Sequence, residues 1–156
     1  MRTTILLVFS ILFFSACKKD KYTTAPQISF KSISPNAFSS NNTILESEFA
    51  PKLTISVTDA EGDLGFKLNE DTAKVFIKNL LTNNLDSFNF PDLHRSAGKN
   101  FKADVTINLF NALECRNSGP PRPRTDTLYF DVYVTDFAKN KSNVITTSDP
   151  VYYRCL

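Results

Sequence analysis

The sequence is poor in the residues that carry most protein chemistry. It holds one histidine, three cysteines, one methionine and no tryptophan in 156 residues. A zinc site with His or Cys ligands needs more of both, and no serine or cysteine lies in a nucleophile motif. His94, in Pro91-Asp92-Leu93-His94-Arg95, reads as a surface residue rather than a general base. The four glycines are too scattered for a phosphate-cradling loop. Charge is nearly balanced, with 18 Lys plus Arg against 16 Asp plus Glu, a formal +2. Nucleic-acid-binding domains usually carry a strongly basic face, so no nucleic acid is expected as a partner. No apolar run reaches the ~20 residues of a membrane-spanning helix. These shortages argue against an enzyme and against a polytopic membrane protein. The 42% hydrophobic content is too high for a disordered chain, and the length suits one domain.

What is present begins at the N-terminus. Thr4 to Phe14 (TILLVFSILFF) is an apolar run preceded by Met1-Arg2 and followed by Ser15-Ala16-Cys17. A basic start, a short apolar core and small residues at its end are the marks of a secretory signal peptide. Phe14-Ser15-Ala16-Cys17 resembles a bacterial lipobox, with Phe where Leu, Val or Ile is usual. The resemblance implies cleavage before Cys17 and lipid attached to that cysteine. The other reading is an ordinary secretory signal with an incidental cysteine. The expected division is a signal peptide over 1–16, a lipidated tether over 17–26 and a folded domain over 27–156. Loss of Arg2 takes the balance from +2 to +1. The tether (KKDKYTTAP after Cys17) reaches at most ~30 Å, so the domain would stand close to the membrane. Lys rather than Asp after Cys17 implies an outer-membrane anchor. Lys18-Lys19-Asp20 is similar to the export signal of Bacteroidota-type surface lipoproteins, but has one acid where two or more are usual. Periplasmic and surface orientations both stay open.

Beyond Gln27 the apolar spacing is two. Leu53, Ile55 and Val57 alternate with Thr54, Ser56 and Thr58. Phe101, Ala103, Val105, Ile107 and Leu109 fall on one face, as do Leu128, Phe130, Val132 and Val134. Such alternation marks half-buried antiparallel strands. Weaker candidates are Ile28 to Ile33, Ala73 to Leu80, Leu85 to Phe90 and Asn143 to Tyr153, separated by turn clusters such as Glu61-Gly62-Asp63 and Thr82-Asn83-Asn84. Apolar residues on both sides of Lys74 to Leu80 leave its buried face undecided. No helical window of useful length stands out. About seven strands of this kind predict an all-β antiparallel β-sandwich, with a closed barrel as the alternative.

Val57-Thr58-Asp59-Ala60-Glu61-Gly62-Asp63-Leu64-Gly65 resembles a V-x-D-x-x-G-D-x-G segment of small Bacteroidota-type lipoproteins with one immunoglobulin-like domain. Val134-Thr135-Asp136-Phe137-Ala138-Lys139-Asn140-Lys141-Ser142 is similar to the V-x-D-x-A-G-N-x-S turn of bacterial immunoglobulin-like and fibronectin-like domains, with Lys139 in place of Gly. The resemblance implies an immunoglobulin-like sandwich and no particular activity. In that topology the strands ending at Asp59 and Asp136 run the same way. Asp59, Glu61, Asp63 and Asp136 would then converge and are candidates for a calcium site, calcium being bound by ~6–8 oxygens. The competing role for these aspartates is to accept backbone N–H bonds in Asx-turns.

Cys115 and Cys155 form an even pair in an oxidising compartment once Cys17 is lipidated, and the same topology places them at one pole, so a disulfide is expected. Free or metal-binding thiols are the alternative. Asn111 to Thr125 is long for a hairpin connection, stiffened by Pro120, Pro121 and Pro123 and made basic by Arg116, Arg122 and Arg124. It reads either as a partner-contacting loop or as a solvated connector. Tyr129 and Tyr133 point outward from one strand and are a candidate stacking platform, which Tyr152 or Tyr153 could join. Two functional classes follow. One is a non-catalytic interaction or structural lipoprotein of the cell envelope, with an envelope protein or glycan as partner. The other is a surface lipoprotein binding a carbohydrate or nutrient. No cofactor other than calcium is indicated.

Overall fold

The computed structural model describes residues 22–40, 44–65, 72–91 and 98–156. The apolar leader, Cys17, the Lys18-Lys19-Asp20 stretch and His94 lie outside the described residues.

Among the described residues the chain is all-β apart from two short 3-10 turns at Ile44–Phe49 and Phe110–Ala112. The ten strands described there follow in order: β1 Gln27–Ser34, β2 Ala37–Ser39, β3 Lys52–Asp59, β4 Lys74–Asn79, β5 Leu85–Asn89, β6 Phe101–Asn108, β7 Arg124–Leu128, β8 Phe130–Thr135, β9 Ile145–Thr146 and β10 Val151–Cys155. They pair as three sheets, β1-β3-β6, β5-β4-β8-β9 and β2-β10-β7. Every pairing is antiparallel except β2 with β10, which is parallel.

Alternation explains these strands. Val105, Ile107 and Leu109 are buried while Lys102, Asp104, Thr106 and Asn108 are exposed. Leu128, Phe130, Val132 and Val134 are fully buried. The undecided strand β4 buries Val75, Ile77 and Asn79 and turns Phe76 and Lys78 outward. Apolar side chains from β1, β3, β4, β6, β7, β8 and β10 meet in one hydrophobic core. Phe90 and Phe130 are its largest fully buried members.

The run of Leu128, Phe130, Val132 and Val134 reads as one strand in the sequence but splits at Tyr129 between β7 and β8. The cause is a bulge in the partner strand. The register pairs Val151 with Leu128, whereas Phe130 meets Thr147. An advance of two residues on one side thus faces four on the other, and the last run also breaks, into β9 and β10. Pairing resumes at once: Leu80 N–H donates to the Tyr129 carbonyl at 2.9 Å and Thr147 N–H to the Phe130 carbonyl at 2.9 Å. The strand β2 and the turn at Ile44–Phe49 are additions that alternation did not reveal. Two peptide bonds, Ser34–Pro35 and Arg122–Pro123, are cis.

Candidate functional site

Strands β3 and β8 end at the same pole, each in Val-Thr-Asp. The described chain also enters there, since Ala60 N–H donates to the Thr23 carbonyl at 3.1 Å. Asp59 and Asp136 are both completely buried. After Asp59 the backbone turns back on itself, with Gly62 at φ 70°, a conformation that glycine adopts without steric cost. Asp59 Oδ2 thereby accepts the N–H of Gly62 at 2.5 Å and of Asp63 at 3.2 Å. After Asp136 the second turn closes in the same manner. Asp136 Oδ1 accepts the Asn140 N–H at 2.7 Å, and Oδ2 accepts the Asn140 side-chain amide at 2.9 Å. Lys139 stands at φ 67°, where the resembling motif has glycine. The two turns are stitched together by Phe137 N–H donating to the Asp63 carbonyl at 3.0 Å.

One carboxylate oxygen from each of Asp59, Asp63 and Asp136 lies within 4.8 Å of the others. Asp59 Oδ1 and Asp63 Oδ1 are buried and have no hydrogen-bond partner. Burial pushes the Asp59 carboxyl up to about 6, with the Gly62 N–H opposing and the negative charge of Asp63 adding to the rise. Burial likewise raises Asp136, against the hydrogen bonds from Asn140 and with a further push from Asp63. Three of the four acids named from the sequence thus converge, and they are the set here able to hold a metal ion. The fourth, Glu61, is exposed and stands outside the cluster.

At the other end of the molecule Cys115 and Cys155 are joined at disulfide distance, with Sγ atoms 2.01 Å and Cα atoms 5.9 Å apart. Beside them Asp126 is buried, its carboxylate facing Arg116 Nε at 3.1 Å and Arg124 Nε at 3.2 Å. The Arg116 Nε contact is an ion pair without hydrogen-bond alignment. Asp126 also accepts the Arg116 backbone N–H at 3.2 Å. The Arg124 guanidinium binds the carbonyls of Pro120, at 2.8 Å, and of Arg116. Gly119, at φ 122°, leaves room for the Arg116 side chain, whose Nε would meet a Cβ there at 3.0 Å. Arg116 and Arg124 are therefore folded inward onto Asp126. Pro120, Pro121, Arg122 and Pro123 face solvent, with Arg122 donating to the Leu156 carbonyl at 3.3 Å. Asp126 escaped the sequence reading although its signal was there: it shares parity with Leu128 and Phe130, and a buried acid needs a nearby cation.

The tyrosines divide. Tyr133 stacks on Phe76 at 4.6 Å and carries Lys141 Nζ 3.9 Å from its ring centroid, so both ring faces are occupied. Tyr153 is buried and stacks on Phe38 of β2. Tyr129 and Tyr152 remain exposed, at 39% and 46%. The register sets Tyr152 opposite Thr127, which makes Tyr129 its diagonal neighbour on the outer face. Leu80 stands opposite Tyr129, and Leu85 pairs with Lys78 two residues before Leu80. Leu80 and Leu85 are 38% and 50% exposed. Leu85, Leu80, Tyr129 and Tyr152 thus run diagonally across β5, β4 and the β7–β8 junction to β10. The two leucines were missed because the turn Thr82-Asn83-Asn84 hides the pairing that brings them together.

No family model, curated protein or solved structure matches the chain.

Proposed function

We propose that the protein is a non-catalytic interaction or structural module of a bacterial cell envelope, tethered to the outer membrane through lipid on Cys17. Its domain is read as an immunoglobulin-like β-sandwich. Counting β7–β8 and β9–β10 as single interrupted strands, β1, β3 and β6 correspond to A, B and E. Strands β4, β8 and β9–β10 correspond to C, F and G, and β5 to an added C′. The lipobox-like Phe14-Ser15-Ala16-Cys17 supports the anchor.

The observation that carries the interaction reading is the exposed apolar diagonal of Leu85, Leu80, Tyr129 and Tyr152. Contiguous apolar groups on a sheet face that are not covered by the chain itself mark interaction surfaces, and tyrosine is enriched at such surfaces. A photo-crosslinking amino acid placed at Tyr129 or Tyr152 in intact cells tests this. One discrete envelope-protein adduct is expected from either position and none from Asp104, exposed on β6. Equal labelling from all three positions would reject the reading.

A second reading, a lipoprotein binding carbohydrate at this face, has one observation in its favour: two neighbouring exposed tyrosines, Tyr129 and Tyr152. Binding of the full chain to immobilised glycans, lost in Tyr129→Ala, would select it over a protein partner.

A further inference from the structure

We infer that Asp59, Asp63 and Asp136 form a binding site for one divalent cation of the calcium type. The turn roles of these aspartates account for only part of what is seen. Asp59 needs a single oxygen, Oδ2, to bond both N–H groups of its loop. Its Oδ1 is left without a partner on a side chain that has no exposed surface. Asp63, though only half-buried as a residue, also has a buried Oδ1 without a partner. A turn alone could be made by Ser or Asn, which would not bring a second and third negative charge into a buried corner. Orphaned, desolvated carboxylate oxygens are costly unless something positive completes them.

The spacing fits one ion. Calcium takes oxygens at ~2.3–2.6 Å, so ligands on opposite sides of it stand ~4.6–5.2 Å apart. One oxygen of each of the three carboxylates lies within 4.8 Å of the other two, inside that span. Both oxygens of Asp136 already accept one bond from Asn140, and each carboxylate oxygen retains a further lone pair for a metal. Carboxylates and water complete the shell of a hard cation, and calcium tolerates irregular arrangements that magnesium does not. The ion would join the Asp59–Asp63 turn to the Asp136–Asn140 turn, reinforcing the backbone bond from Phe137 to Asp63. The site stands whether or not the interaction reading holds, because it uses none of the residues of the exposed diagonal.

Thermal melts of the full chain in detergent, in about 5 mM calcium chloride against EGTA, test it. Calcium is expected to raise the midpoint by about 5 °C, as ligand binding to the folded state alone requires, and magnesium by less than half as much. Asp63→Asn should abolish the calcium shift while keeping an EGTA midpoint at least equal to that of the parent, since a repelling charge is gone. Glu61→Gln should keep the whole shift. Calorimetric titration of the unaltered chain should give one calcium per chain, which decides the matter even if Asp63→Asn fails to fold. A calcium midpoint equal to the EGTA midpoint would overturn the site and leave a proton shared between Asp59 and Asp63 as the completing charge. So would a full calcium shift surviving in Asp63→Asn.

Discussion

Lys139 shows how a single residue can depart from its motif at a measurable cost. Its left-handed backbone at φ 67° costs a non-glycine residue about 1 kcal/mol. Lys139→Gly should therefore stabilise the domain by up to about 1 kcal/mol in urea denaturation, the gain being reduced by whatever the lysine side chain contributes. A loss of stability would show that this side chain outweighs the backbone. Asp59 yields a second prediction. Its folded-state carboxyl titrates at about 6 against an ordinary 3.8, mainly through burial, and Asp136 is raised in the same direction. A raised acid favours folding below its unfolded value, and that advantage is lost as pH rises through the folded value. Metal-free protein should thus melt higher at pH 5 than at pH 7.5, and Asp59→Asn should flatten the difference. A parent midpoint that rises with pH, with Asp59→Asn following the same slope, would contradict this. The convergence of Asp59, Asp63 and Asp136 was legible because two identical Val-Thr-Asp endings fall on strands of like direction. The exposure of Glu61 was not, since a turn residue's facing is set by backbone angles that alternation does not encode.

At the level of elements, the strands carried by clean alternation, β3, β6 and the β7–β8 run, were plain in the sequence. Strand β4 became readable only once its partner β8 fixed which side faces the core. The interruption at Tyr129 could be anticipated only with the register known, because its cause, the extra residues between Thr147 and Val151, lies on the neighbouring strand. The Cys115–Cys155 bridge closes a separation of 40 residues, worth about 4 kcal/mol in the chain-entropy account. Replacing both cysteines with serine should lower unfolding free energy by about 2–4 kcal/mol in guanidinium titrations, with little change in the far-ultraviolet spectrum. A change below about 0.5 kcal/mol would mean that the bridge constrains nothing. The loop it anchors is held a second time by Asp126. Asp126→Ala leaves Arg124, nearly buried at 11% side-chain exposure, without its counter-charge. A loss of about 3 kcal/mol is expected, and near-neutrality would show that water replaces the carboxylate.

Across the whole molecule the two poles have different characters. The acidic pole lies where the described chain begins, as the bond from Ala60 to Thr23 shows. The disulfide, Asp126 and the Pro-Arg loop lie at the far end of the β7–β8 run. The exposed apolar diagonal crosses the sheet between them. Under the proposed anchoring, a cation would brace the end nearest the membrane, a covalent bridge the end furthest from it, and the partner would meet the face between. The central claim in this arrangement is that two turns separated by more than seventy residues of sequence make one metal site. Calcium titration followed by amide chemical shifts in nuclear magnetic resonance tests it most directly. Shifts confined to residues 59–65 and 136–142 and saturating at one equivalent are predicted. Unmoved amides in both turns, or shifts scattered over exposed acids such as Glu61 and Asp104, would contradict it.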